Sequence, residues 1–199
     1  MGRQGDSFDA PTVAQVAAHP VAMLLVLSAV LLGLSPAAAL ADDGETAGHV
    51  YVLNNNLFGA NSITSFARAG DGSLAQVGVT DIGGRGSLAA FADGTQGSLI
   101  RTPDGKRLFA VDAGSDQISV VDVTDGGLLL VGAFPSGGSG PVSLTYNDGL
   151  LYVLNAANAS ASYADVTGFR VDNRGGLHLI PGATRSLSAP HPNPAQGRA

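Results

Sequence analysis

His191 and Asn193, in the run APHPNPAQ, are the residues whose types best suit chemistry on a small molecule. An imidazole that is neutral near pH 7 can act as a base or donate a hydrogen bond to a bound carboxylate, and a neighbouring carboxamide can donate too. The competing reading of the same residues is a proline-rich segment without fixed structure. The rest of the inventory is thin. Glu45 is the sole glutamate, so any other carboxylate base is an aspartate. Asp71, Asp104, Asp125 and Asp148 each precede a glycine, the arrangement of a turn in which the carboxylate caps local N–H groups. Asn54, Asp112 and Asn155 end the same strand in three successive copies of one pattern, and a residue type that recurs in this way closes a turn more readily than it binds a single ligand. His49 and His178 fall in or beside strands and read as surface residues, and no two histidines have the spacing of metal ligands. The chain has no cysteine, which removes disulfides, thiolate metal sites and a cysteine nucleophile together. Neither a metal nor a cofactor is expected.

The elements that must position these residues repeat. An alternating apolar strand ending in Asn or Asp occurs as YVLN at 51–54, FAVD at 109–112 and YVLN at 152–155. A second strand follows as ITSF at 63–66, ISVV at 118–121 and VTGF at 166–169. Then come a Gly-led turn and a third strand, in DGSLAQVGV from Asp71, DGGLLLVGA from Asp125 and RGGLHLIPG from Arg174. The later two copies are preceded by a further strand and turn, SLIRTPDGK at 98–106 and VSLTYNDGL at 142–150, whose Pro-Asp-Gly and Asn-Asp-Gly triplets are turn formers. Period-two alternation argues for strands rather than helices, and four-strand units recurring every 43 to 58 residues are the pattern of propeller blades, each burying its faces against its neighbours. The expectation is an all-β partial β-propeller of about three four-stranded antiparallel blades, at about 49–80, 97–134 and 140–183, with a Gly-rich insertion at 81–97 and the start of a further blade at 184–199. A plain β-sandwich is the alternative. Two motif-like stretches are assigned to loops. Gly84-Arg85-Gly86-Ser87-Leu88-Ala89 has dinucleotide-fingerprint spacing but no following parallel βαβ unit, and SGGSGP at 136–141 has Pro141 where a nucleophile elbow needs glycine.

Composition narrows the functional classes. Glycine contributes 28 of 199 residues, as many tight turns require, and the net charge is −6 with Lys106 the sole lysine, so no basic face exists for phosphates and nucleic acid is excluded as a partner. Val21–Leu34 is an uncharged apolar run followed by SPAAALA and the acidic ADDGE. This reads as a signal peptide over 1–41, cleaved after Ala41, then an acidic linker at 42–48 and a secreted or periplasmic protein with no stable membrane domain. An uncleaved anchor is the alternative, for which 14 residues are short of a span.

The segments YVLN, SLIRTPDGKRLFAVDAGSDQISVVDV and PVSLTYNDGLLYVLNAAN resemble the lactonase family of seven-bladed propellers, which includes proteins described as 6-phosphogluconolactonases and 3-carboxymuconate cyclases, with the YVTN-type repeat as a relative. The resemblance covers about His49 to Gln196. It implies a small-molecule site at the mouth of a central channel, acting without a cofactor on a lactone of a sugar acid or carboxymuconate-type compound, or on its open hydroxy acid. Fewer than half the blades of such a ring are expected here, so the chain reads as an inactive, truncated copy of a longer protein whose exposed blade edges self-associate. The alternative function is a non-catalytic propeller that recognises a small molecule or a protein through its rim.

Overall fold

The computed structural model describes residues 46–88, 95–157 and 163–190. Within them the chain is all β, with twelve strands and no helix. Accordingly, no helix among these residues is long and apolar enough to cross a membrane. The apolar run at 21–34 and its cleavage point lie outside the described residues, as do His191 and Asn193.

The strands form three antiparallel sheets in chain order. The first holds β1 (Gly48–Asn54), β2 (Ala60–Arg68) and β3 (Leu74–Arg85). The second holds β4 (Leu99–Arg101), β5 (Arg107–Asp112), β6 (Gln117–Thr124) and β7 (Gly127–Pro135), each paired with the next. The third runs β8 (Pro141–Asn147), β9 (Leu150–Asn155), β10 (Tyr163–Val171) and β11 (Leu177–Leu179), with β12 (Arg185–Pro190) also on β10. The turns follow from their residues. In the β8–β9 hairpin Asp148 and Gly149 both take positive φ, 46° and 77°, which suits an Asp-Gly pair in a two-residue hairpin turn. In the β4–β5 turn Asp104 accepts hydrogen bonds from the Thr102 hydroxyl and the Lys106 amide, and Gly105 sits at φ 74°.

The second sheet is the middle layer of a stack, because side chains alternate along β5. Leu108 and Ala110 pack with Val121 against Ile63 and Ile82 of the first sheet. Phe109 and Val111, with Ile118 and Val120, pack against Leu144, Leu151, Val153 and Phe169 of the third. Each fully buried aliphatic or aromatic side chain contributes on the order of 1.5–3 kcal/mol, so the two seams hold most of the stabilisation. Polar contacts reinforce the second seam. Arg107 pairs with Asp122 at 2.7 Å within its own sheet and lies against Gly175 in the β10–β11 turn of the next. A sheet covered on both faces by its chain neighbours is a blade in a radial stack rather than one half of a sandwich. The chain is a partial β-propeller of three blades.

Two boundaries differ from the sequence reading. Asp81–Arg85, expected to open a Gly-rich insertion, continue β3 and pair with β2, the register shifting between Ala60 and Ser62. Arg185–Pro190, expected to begin a further blade, pair with Tyr163–Val166 and so complete the outer edge of the third sheet, while β11 pairs only with Phe169–Val171. The turn between them, at Pro181-Gly182 with Gly182 at φ 74°, breaks one edge into two short strands and resembles a blade boundary in the sequence.

Candidate functional site

The three repeated Asn/Asp positions come to one rim, where strands β1, β5 and β9 end. Asn54 donates to the hydroxyls of Ser62 and Thr64, at 3.0 and 2.8 Å. Asp112 meets the Ser119 hydroxyl at 2.6 Å, and Asn155 donates to Asp165, which also accepts from Thr167. In each blade the polar end of one strand is thus tied, directly or through Asp165, to a hydroxyl on the next, and the repetition has the architectural role that its recurrence suggests.

The middle member is an acid where the outer two are amides. Asp112 is fully buried, and so are Asn61 and Ser119 beside it. Asn61, from the first sheet, donates to Asp112 Oδ1 at 2.8 Å, and the Ser119 hydroxyl also reaches the Ile82 carbonyl of that sheet. Gly84 lies flush against the carboxyl group: a Cβ there would stand 2.1 Å from Asp112 Cγ. The fingerprint-like Gly84-Arg85-Gly86 is therefore a seam between blades. Its glycines leave room for Asp112 and Asn55, and Gly86 donates to the Asn56 carbonyl. Burial pushes the Asp112 carboxyl up to about 6, against the opposing pull of the Ser119 and Asn61 hydrogen bonds. It titrates in the range of a general base, but closed off from solvent it reaches no substrate. The SGGSGP stretch is likewise a blade-to-blade loop, with Gly137 packed on Thr167, Gly138 on Asn155 and Gly140 donating to Asp116.

At the opposite rim the first seam opens into a groove of about 640 Å³, lined by Thr46, His49, Tyr51, Arg101 and Asp125 together with small residues that include Ser65 and Ala67. It is open because Ser65 and Ala67 continue the row in which Ile63 fills the seam, and because Gly126 and Gly127 face them from the β6–β7 hairpin. The His49 and Tyr51 rings lie nearly parallel, 6.2 Å apart, and the Arg101 guanidinium stands 5.7 Å from the Tyr51 ring centre. Sequence reading passed over Tyr51 and Arg101 because they belong to different repeats. The signal was present only in His49 and Tyr51 sharing one strand face. Of the turn aspartates, Asp71 caps Ser73 and Asp104 caps Lys106, and each is held below the usual carboxylate range by its hydrogen bonds, chiefly from Ser73 and from the Thr102 hydroxyl. His178 bonds to Asp172 at 2.8 Å on the surface and takes no part in either rim. No cluster of three or more potential metal-ligating side chains occurs among the described residues.

No family model and no curated protein matches the sequence. Solved structures do. A protein from Lactobacillus plantarum is similar over 71% of this chain and 39% of its own, at 19% identity and a TM-score of 0.52. A hypothetical selenium-binding protein from Sulfolobus tokodaii is similar over 69% of this chain and 38% of its own, at 13% identity and a TM-score of 0.50. A periplasmic gluconolactonase from Pseudomonas aeruginosa overlaps 73% of this chain and 40% of its own, at 19% identity and a TM-score of 0.45. The chain spans about two fifths of the length of these structures. At such identities the likeness to the first two is one of fold alone.

Proposed function

We propose that this chain forms part of an exported, lactonase-like propeller, and that the whole protein opens or closes a lactone of a sugar acid or carboxymuconate-type compound. The observation that carries this reading is the blade unit itself. The SLIRTPDGKRLFAVD segment, on which the resemblance to the lactonase family rests, folds as β4, a tight turn and β5 of a four-stranded blade. In this reading the reaction belongs to the mouth of the central channel, with His191 and Asn193 as the residues to test, and export follows from the apolar run at 21–34. The exposed apolar side chains of the outer sheets, such as Val52 and Val79 on the first and Tyr152 on the third, are where further blades or a second copy would pack.

The whole protein is expected to hydrolyse 6-phosphogluconolactone or a simple aldonolactone faster than water does, with acid release followed by a pH indicator. Absence of any rate above the spontaneous one, from folded protein, rejects the catalytic reading. A second reading, a propeller that binds without turnover, is favoured by one specific feature: Asp112, whose pKa is pushed up to about 6, is sealed inside a seam. Saturable binding of the acid without turnover of the lactone would establish it.

A further inference from the structure

We propose that the groove at the rim of the first seam binds a hydroxylated ring carboxylate, with Arg101 pairing to the carboxylate and the His49–Tyr51 pair supplying the surface on which the ring stacks. This does not rest on the lactone reading: the groove lies on the seam between the first two blades, and none of the residues named for that reaction lines it.

The inference rests on how each wall is built. About 640 Å³ is the size of a cleft for a small organic molecule and too little for a folded partner's element. Arg101 Nε donates to the Gly105 carbonyl at 2.9 Å, and Gly105 itself leaves no room for a Cβ beside the guanidinium. Held there and over the Tyr51 ring, the guanidinium keeps its other N–H groups for an acceptor, and a planar carboxylate matches their spacing. The parallel His49 and Tyr51 rings offer an apolar face beside that charge, to which a sugar or aryl ring can pack. Asp125 and Thr124 close the hairpin side, and Thr46 the other. A carboxylate at Asp125 repels polyanions such as nucleotides but accepts hydroxyl donors, so the ligand that suits all walls carries one negative charge at one end and hydroxyls at the other.

The native protein is titrated by ligand-detected NMR with D-glucuronate and with 4-hydroxybenzoate, each beside its methyl ester. Saturable binding of at least one acid is expected, with its ester at least tenfold weaker. Binding of glucuronate alone identifies a sugar acid, binding of 4-hydroxybenzoate alone an aryl acid, and binding of both a platform indifferent to the ring. Arg101→Met should weaken the acid tenfold or more, and Tyr51→Leu should weaken acid and ester alike, with circular dichroism reporting retained strand content. The proposal is overturned if neither acid saturates, if acid and ester bind equally, or if folded Arg101→Met binds like the native protein. Should Arg101→Met fail to fold, the acid-against-ester comparison on native protein decides alone.

Discussion

Replacing Asp112 by asparagine is expected to stabilise the protein by roughly 3 kcal/mol at pH 8 and to change little near pH 4. The first cause is burial: the charged carboxylate is held out of water, and the hydrogen bonds from Ser119 and Asn61 offset only part of that cost. The Ser119 hydroxyl lies 2.6 Å from Asp112 Oδ2 and within reach of the Ile82 carbonyl, yet it has one hydrogen. When Asp112 is ionised, the Ile82 carbonyl and the carboxylate compete for that one hydrogen, and the carboxylate keeps the Ser119 amide and Asn61 as donors. When it is protonated, its own O–H donates to Ser119, Ser119 donates to Ile82, and Asn61 serves Oδ1. The structure therefore favours the neutral acid, as the pKa of about 6 also records. Below about pH 4 the carboxyl is protonated folded and unfolded, and its contribution is fully present. Between the unfolded value of 3.8 and the folded value of about 6 the unfolded chain gives up the proton first, and stability falls as pH rises. Above that window the loss is constant. At about 1.4 kcal/mol for each pH unit between the two values, it amounts to roughly 3 kcal/mol. Asparagine removes the ionisation while its Nδ2 can donate to Ser119, as Asn54 already does to Thr64 in the first blade. Asp71, Asp104 and Asp172 have lowered values, so their stabilisation is lost as pH falls through the acid range below 3.8. The difference between wild-type and Asp112→Asn urea midpoints from pH 4.5 to 8 thus isolates Asp112. A wild-type curve that stays flat across that range, or a variant that follows the wild-type slope, would contradict the buried-proton account.

The blades were legible in the sequence because period-two alternation and Asp-Gly turns act locally. YVLN, FAVD and the second YVLN each fall within the second strand of a four-strand pattern, in β1, β5 and β9. What the sequence did not show depends on contacts between residues far apart. Asn61 and Asp112 are 51 residues apart, and nothing in either local pattern says that they meet. Gly83 and Gly84 look like the start of a flexible insertion, yet Gly84 is a strand residue whose missing side chain makes room for a carboxylate from the next blade. Pro181-Gly182 looks like a boundary because a turn is all the sequence can specify there. Whether the chain afterwards returns to the same edge is decided by the open side of β10. The groove was hidden for the same reason, since Tyr51 and Arg101 sit in different blades and become neighbours only when the two sheets stack.

Two glycines on one strand offer the sharpest test of that seam. Gly84→Ala is expected to cost about 3 kcal/mol or more, and Gly78→Ala nothing, or a slight gain. Neither glycine has positive φ, so backbone strain does not separate them. Around Gly78 an added Cβ meets nothing within 4 Å, and alanine there only restricts the unfolded chain. At Gly84 the same methyl group would stand 2.1 Å from Asp112 Cγ and 2.2 Å from Oδ2, far inside contact distance. The carboxyl group cannot step aside without losing its hydrogen bonds to Asn61 and Ser119, and both of those side chains are buried with it. The strand cannot step back without parting Ile82 from Leu108, Ala110 and Val121. Either route strains the seam, so the cost should appear as a lowered urea midpoint and a lower melting temperature, with no effect on ligand binding at the opposite rim. A double-mutant cycle separates the clash from a general weakness of β3. In an Asp112→Gly background the Cγ, Oδ2 and Cβ atoms that stand 2.1, 2.2 and 2.3 Å from the added methyl group are all gone, and Gly84→Ala should then cost less than about 1 kcal/mol. An undiminished cost in that background would mean that the methyl group strikes something other than Asp112, and the first two blades would have to meet differently from the way described.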